Sequence, residues 1–279
     1  MIREGYFDKV YYCFWHSGKS EKSENSSNVR ANIFAIHGLG GHSLWFDTIA
    51  RQFNENNINF FSYDLPGFGQ SKYTRGKIDS YKTWISVSCE VLKRFLFEFN
   101  VNKPVFILGH SMGALIAILM SKKVRANGWV LSVPAFDGNN KTWPAFSFVL
   151  PVLLKAFVDP SKEIVLPYGP ETITKCKEMQ EKIKKDKLRV VNVDAIMYKH
   201  VFFLSLAAKK IFSFNNEPVL MLLSGQDVVC SNDAMNKYYE KISSGDKTKL
   251  IYDSAFHDLF IEEEALKAAS DIAEWVKAH

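Results

Sequence analysis

The chain has 279 residues, of which 47% are hydrophobic and 23% are charged, and its formal net charge is +5 at pH 7. This composition is typical of a globular protein with a sizeable core, and it excludes a disordered or fibrous chain. The charge is mild and no dense basic block is interleaved with aromatic residues, so binding to nucleic acid is not expected.

Targeting signals and metal-binding patterns are missing from the sequence. The N-terminal residues lack the apolar stretch of a signal peptide, and no apolar run reaches the ~20 residues that a membrane-spanning helix needs. Four cysteines lie scattered, without a CxxC pair or a histidine at metal-ligand spacing: Cys13, Cys89, Cys176 and Cys230. We therefore expect a soluble protein of the reducing cytoplasm without a metal site.

Six near-continuous apolar runs predict strands that are buried on both faces of a parallel sheet. They occupy residues 31–38, 59–64, 104–110, 128–134, 218–225 and 248–254. Helical spacing marks five segments, at residues 44–57, 81–99, 112–124, 232–242 and 265–277. Strands that alternate with helices favour right-handed crossovers, so we predict an α/β fold with a mostly parallel, doubly wound sheet. The polar segment 18–28 is predicted to be a surface loop between two early strands.

The stretch from Ala135 to Glu217 carries helical patterns but no clear buried strand, and it is too long for a bare loop. We predict a helical cap at 135–217, inserted between two late strands, and a core formed by 1–134 and 218–279. The apolar segment 143–158 of this cap has two open interpretations. It is either a lid that lines an acyl tunnel and transiently touches a membrane or micelle, or a segment that packs on the core.

The segment GHSMG, from Gly109 to Gly113, is the strongest chemical signal in the sequence. It lies between a predicted strand and a predicted helix, which is the context that the G-x-S-x-G nucleophile motif requires. The two glycines permit a tight turn that exposes the hydroxyl of Ser111 at the positive end of a helix. We therefore predict that Ser111 is a nucleophile and not a structural turn residue.

A serine hydroxyl needs a base to take its proton, and the base needs a carboxylate that orients it. In this type of fold the acid and the base follow the serine along the chain, so His257, after the last predicted strand, is the predicted base. Asp227, directly after the strand at 218–225, is the favoured orienting acid, and Asp137, one strand earlier, is the alternative. Asp258, beside His257, is expected to be a surface residue or a loop-bonding residue.

The oxyanion of a tetrahedral intermediate needs two main-chain N–H donors, one after the nucleophile and one from the loop after an early strand. Met112 supplies the first predicted donor. Leu39, in the glycine-rich loop 37–42, supplies the second. This loop carries neither a G-x-G-x-x-G nor a Walker pattern, so phosphate binding is not favoured.

Five motifs resemble, in order and spacing, the α/β-hydrolase superfamily over almost the whole chain: HGLGG, YDLPGFGQS, GHSMG, SGQDVV and SAFHD. The H-G-x-G-x-H loop at 37–42, GQDVVC and YDSAFHDLFIEE are most similar to the monoacylglycerol lipase and lysophospholipase group. The resemblance implies an α/β-hydrolase fold, hydrolysis of a long- or medium-chain acyl ester through an acyl-enzyme at Ser111, and no metal or organic cofactor. Ala195 stands where this family usually has proline, which leaves the substrate preference of the cap open.

Two other functions stay open at this point. A serine peptidase or amidase would need a cap carboxylate to hold a substrate amine, and Glu163, Glu171 and Asp194 are the candidates. A non-catalytic ligand receptor is disfavoured because every part of the predicted site is present. Cys230, three residues after Asp227, is either a thiol whose modification affects activity or an inert buried cysteine.

Overall fold

The computed structural model describes residues 2–17, 29–139, 151, 154 and 156–279. Over these residues the chain forms ten strands: β1 (Ile2–Phe7), β2 (Val10–Trp15), β3 (Ala31–Ile36), β4 (Ile58–Tyr63), β5 (Val105–His110), β6 (Gly128–Ser132), β7 (Glu163–Val165), β8 (Asn192–Asp194), β9 (Val219–Ser224) and β10 (Lys247–Tyr252). Eight of them build one sheet in the order β1-β2-β4-β3-β5-β6-β9-β10. All six predicted strands are confirmed, but β10, at the edge of the sheet, is only partly buried and not covered on both faces as predicted.

The central strands pair as the apolar runs predict. From β4 across to β10 every neighbouring pair is parallel, and β3, β4, β6 and β9 are buried along their whole length. The hairpin of β1 and β2 is antiparallel and extends the sheet beyond β4. The hairpin turns at Asp8, which has a φ of 53°. The sequence indicated early strands but not this pairing.

The helices that the structure assigns in its described part are α1 (Asp47–Glu55), α2 (Tyr81–Glu98), α3 (Met112–Met120), α4 (Pro170–Ile173), α5 (Lys177–Lys185), α6 (Ala195–Ala208), α7 (Asn232–Lys241) and α8 (Ala265–Ala278). Helix α1 contacts α8, and α2 contacts α3. The strand order reverses direction at β3, and right-handed crossovers on the two sides of that point place helices on opposite faces of the sheet. The doubly wound α/β architecture is therefore confirmed.

Between β6 and β9 the chain forms α4, α5, α6 and the antiparallel pair β7–β8. The three-residue strands of this pair are too short to leave a pattern in the sequence, and they are partly exposed, so they are not the buried strands whose absence the sequence indicated. The domain boundaries at 135 and 217 stay a prediction. Most of the apolar segment 143–158 lies outside the described residues. Among the described helices, none combines the length and apolarity that a membrane crossing requires.

Candidate active site

Ser111 is the single residue between β5 and α3, and its backbone has φ 53° and ψ −116°. A non-glycine residue in this left-handed region is strained, and such strain is common where a side chain must be presented at a functional site. The flanking glycines make the turn possible. A Cβ on Gly109 would lie 2.5 Å from the Cα of Ala114, and one on Gly113 would overlap the carbonyl oxygen of Ile36.

Three predicted side chains meet at the carboxyl ends of β5, β9 and β10. The Nε2 atom of His257 lies 3.0 Å from the Oγ of Ser111, and its Nδ1 lies 2.8 Å from the Oδ2 of Asp227. The other carboxylate oxygen of Asp227 accepts the main-chain N–H groups of Val229 and Cys230, both at 2.8 Å. The partners assign the tautomer: Nδ1–H donates to the carboxylate, and Nε2 accepts the serine O–H.

The electrostatics of this group favour proton uptake by His257. Burial by itself lowers the pKa of His257, but the charge of the facing Asp227 carboxylate and its hydrogen bond to the ring outweigh burial and raise the pKa well above its usual range. Burial also raises the pKa of the Cys230 thiol, so this cysteine stays protonated at neutral pH. These properties suit an inert thiol better than a reactive one.

The alternative acid, Asp137, lines the same cavity but has a different partner. Its side chain is 54% exposed and its Oδ1 atom pairs with the Nζ of Lys209 at 2.5 Å. The structure therefore brings Asp227, and not Asp137, to the imidazole of His257.

The glycine-rich loop runs directly beside the nucleophile. A Cβ on Gly38 would lie only 3.1 Å from the Cβ of Ser111. The backbone of the loop therefore lies so close to Ser111 that a larger residue at position 38 would be crowded. Leu39 and Met112 both line the cavity above the serine. Within the described residues, neither main-chain N–H donates to a protein acceptor, which leaves both free for an oxyanion. Their role as oxyanion donors stays a prediction.

The cap holds this loop through polar contacts that the sequence did not predict. The Nε2 of His42 and the Nε1 of Trp45 both contact the Oδ2 of Asp186, at 2.7 and 2.8 Å. Burial alone would raise the pKa of Asp186, but these two hydrogen bonds outweigh it and hold the pKa well below its usual range. The N–H of Val190 also donates to the carbonyl of Gly40 at 2.9 Å. Asp186 belongs to the basic run 182–189 (KIKKDKLR), and nothing in that local pattern identifies its partners.

Above the triad lies a cavity of about 350 Å³ whose wall is mostly apolar. Core and cap residues share this wall, among them Trp45, Phe136, Tyr168, Tyr198, Phe202 and Val229. The hydroxyl of Tyr168 also donates to the carbonyl of Leu39 at 3.0 Å, so one cap side chain shapes both the cavity and the loop. Such a cavity suits an apolar chain that ends in one reactive polar group.

Of the described residues, Asp227, Cys230 and His257 form a group whose potential metal ligands lie within 4.8 Å of one another. The carboxylate and the imidazole of this group are already hydrogen-bonded to each other and, through His257, to Ser111. These hydrogen bonds are the ones that the predicted triad of Ser111, His257 and Asp227 requires.

Comparisons with known proteins agree with this geometry. The profile of the family described as "Serine aminopeptidase, S33" matches residues 27–264. Phospholipase YtpA of Bacillus subtilis is 26% identical, over 86% of this chain and 93% of that protein. The human monoglyceride lipase is 26% identical, over 84% of this chain and 77% of that protein.

Solved structures are similar over nearly the full length. A monoglyceride lipase variant from Saccharomyces cerevisiae, in complex with a substrate analogue, has a TM-score of 0.85 at 20% identity and covers 100% of this chain and 95% of its own. The monoacylglycerol lipase of Paleococcus ferrophilus has a TM-score of 0.82 at 21% identity, and the match covers 97% of this chain and 99% of that protein's chain. These similarities establish the α/β-hydrolase fold.

Proposed function

Since this chain belongs to the serine aminopeptidase S33 family of α/β-hydrolases and is a hydrolase of the carboxylesterase type, we propose that it cleaves acyl esters with Ser111 as its nucleophile. His257 acts as the base and Asp227 orients it. The observation that carries the proposal is the continuous hydrogen-bonded chain from Asp227 through His257 to Ser111, at the floor of an apolar cavity.

The chemistry proceeds by acyl transfer. The Oγ of Ser111 attacks the ester carbonyl carbon while its proton passes to the Nε2 of His257. The carbonyl oxygen becomes an oxyanion, which the N–H groups of Leu39 and Met112 stabilise. The carbon–oxygen bond to the alcohol then breaks, and the alcohol leaves with the proton from His257. In the second half of the reaction, a water molecule attacks the carbonyl carbon of the acyl-enzyme while His257 takes its proton. The bond to the Oγ of Ser111 then breaks, the proton returns to this oxygen, and the acid is released.

We propose a monoacylglycerol-like or lysophospholipid-like substrate. The largely apolar wall of the cavity suits an acyl chain, and the names of two relatives, a phospholipase and a monoglyceride lipase, fit the same substrate class. A substrate of this kind carries its ester next to a polar head group. The cytoplasmic location stays a prediction.

A transient contact with a lipid surface belongs to the same proposal. Phe157 is 75% exposed and Val158 88%, whereas the adjacent Ala156 is buried. The Nζ of Lys199 lies 5.5 Å from the centre of the Phe157 ring, which places a cation beside the exposed apolar side chains. Apolar side chains beside a cation suit contact with an anionic membrane or micelle surface.

A peptidase function has less support. A peptidase would need a carboxylate to hold the substrate amine, but none of the three cap candidates lines the cavity. Glu163 and Glu171 are exposed, and Asp194 caps α6 by accepting the N–H of Met197 at 2.8 Å.

A fluorophosphonate probe tests the nucleophile. The wild-type protein should react stoichiometrically, and Ser111→Ala should lose both labelling and turnover of p-nitrophenyl esters. Labelling that persists in the variant would reject the assignment. A panel of acyl esters from acetyl to stearoyl, with one amide included, would then identify the substrate class.

A further inference from the structure

Asp258 follows His257 in the chain, and of its two predicted roles, surface residue or loop-bonding residue, the structure supports the second. Its side chain is only 5% exposed. The Oδ1 atom accepts the N–H of Phe260 at 3.1 Å, so the predicted loop bond is present. The Oδ2 atom lies 3.5 Å from the Nε2 of His110, and the main-chain N–H donates to the carbonyl of Ile173 in the cap at 2.9 Å.

The pair of Asp258 and His110 carries a net negative charge. Burial lowers the pKa of His110 well below its usual range, and the neighbouring His257 acts in the same direction, so His110 is neutral at physiological pH. Burial raises the pKa of Asp258 to about 6, so at higher pH this carboxyl is ionised. Within the described part of the chain, no lysine or arginine forms an ion pair with Asp258.

A buried carboxylate without a cationic partner is costly. Asp258 contacts His110, and His110, His257 and Asp258 line the same cavity. The rings of His110 and His257 lie 5.5 Å apart between centroids. The charge on His257 and the charge on Asp258 favour each other, since His257 acts to lower the pKa of Asp258. The other groups that face His257 are Ser111, Asp227 and the Cys230 thiol.

We propose that Asp258, held by His110 and by the main-chain carbonyl of Ile173 in the cap, is a positioning residue whose carboxylate stabilises the protonated form of His257. This inference rests on the proposed function, because His257 takes up a proton when Ser111 attacks. Asp227 orients the imidazole by direct contact, whereas Asp258 adds a second negative charge without a hydrogen bond to the ring. The reaction therefore gains electrostatic stabilisation at the moment at which positive charge develops.

Asp258→Asn is the sharpest variant, because it removes the charge and keeps the size and the acceptor for Phe260. Loss of a nearby negative charge lowers the pKa of His257, so the acid limb of the kcat/KM profile should move to lower pH by about 0.5 to 1 unit. On the plateau, kcat should fall about three- to tenfold, because the imidazolium is less stabilised.

The matched control is Asp233→Asn. Asp233 is an exposed carboxylate in the first turn of α7, and its charge is screened by solvent, so the acid limb should stay in place. An acid limb that stays in place in Asp258→Asn as well, with kcat lowered only in proportion to a lower melting temperature, would overturn the proposal.

An NMR titration of the His257 imidazole makes the test independent of the choice of ester. The pKa of His257 should be lower in Asp258→Asn than in the wild type, and equal values would overturn the proposal. Fluorophosphonate labelling of the same samples separates the two hypotheses. A wild type that is not labelled rejects the proposed hydrolase function, while the NMR titration still decides the effect of Asp258 on His257.

Discussion

The core and the cap contribute to the site by different physical means. In the core, the triad residues follow the ends of parallel strands of one sheet, so the backbone of the sheet places them. In the cap, short elements are held by side chains that reach across to main-chain groups. Arg75, for example, donates to three successive cap carbonyls, those of residues 187, 188 and 189, at 3.0 to 3.1 Å. Each triad residue is therefore positioned by the strand that precedes it in the chain. The wall of the cavity and the oxyanion loop, in contrast, depend on contacts between segments that are distant in the sequence.

The largest expected effect comes from the core. Asp227→Asn should lower kcat by roughly ten-thousandfold, because the imidazole of His257 then loses its orienting acceptor and adopts the wrong tautomer. Asp137→Asn should change kcat by less than about threefold, because Asp137 is partly exposed and paired with Lys209. Steady-state kinetics with a p-nitrophenyl ester measure both. A larger effect of Asp137→Asn than of Asp227→Asn would indicate that Asp137, which follows β6, is the orienting acid.

A larger side chain in the turn at Ser111 should also destabilise the protein. Gly113→Ala places a Cβ against the carbonyl oxygens of Ile36 and His37, and it should lower the free energy of unfolding by roughly 3 kcal/mol or more. Gly245→Ala is the control, because an added Cβ there meets nothing within 4 Å. Chemical denaturation measures both variants, and similar losses would contradict the close packing of the turn.

In the cap, Asp186→Ala should separate loop placement from triad chemistry. The change leaves the donors of His42 and Trp45 without their acceptor, and we expect kcat to fall about tenfold as the oxyanion loop loosens. Glu181→Ala is the matched control, because Glu181 is exposed on α5 and pairs with Lys184 of the same helix. If kcat stays unchanged in Asp186→Ala, the cap does not position the loop.

The pH dependence follows from the raised pKa of His257. The base must be neutral in the free enzyme, so kcat/KM should rise with pH through a midpoint above about 6.5, the value of an exposed histidine. Asp227→Asn should shift this midpoint downward, because it removes the charge that raises the pKa. A wild-type midpoint well below that of an exposed histidine would contradict the electrostatics of the triad.

The smallest expected effect concerns the exposed cap residues. Phe157→Ser should lower activity on a lipid ester in anionic vesicles about threefold, because it removes apolar area from the proposed contact. Activity on a water-soluble short-chain ester should stay the same, which provides the internal control. Equal activity of wild type and variant on vesicles would remove the lipid-surface proposal.

Local patterns explain why so much of the core could be predicted. Apolar runs mark the buried strands, and GHSMG places a strand, a strained turn and a helix within a few residues of Ser111. Helix ends were less accurate. The helix predicted at 112–124 ends at Met120, because the polar residues that follow form a turn.

What the sequence did not predict depends on distant partners. Asp186 meets Trp45 across 141 residues and His42 across 144. The burial of Asp258, in the loop after β10, likewise depends on His110 at the end of β5 and on Ile173 in the cap. No local pattern carries such contacts, so the sequence predicted neither the partners of Asp186 nor the contact of Asp258 with His110.

The most direct test of the central claim is the mass of the intermediate. After rapid mixing with a p-nitrophenyl ester and acid quenching, peptide mass spectrometry should find the acyl group on Ser111. The amount should be close to one acyl group per chain wherever deacylation is slow. An acyl group on another residue, or turnover without any acyl adduct on Ser111 under conditions that show a kinetic burst, would contradict the account.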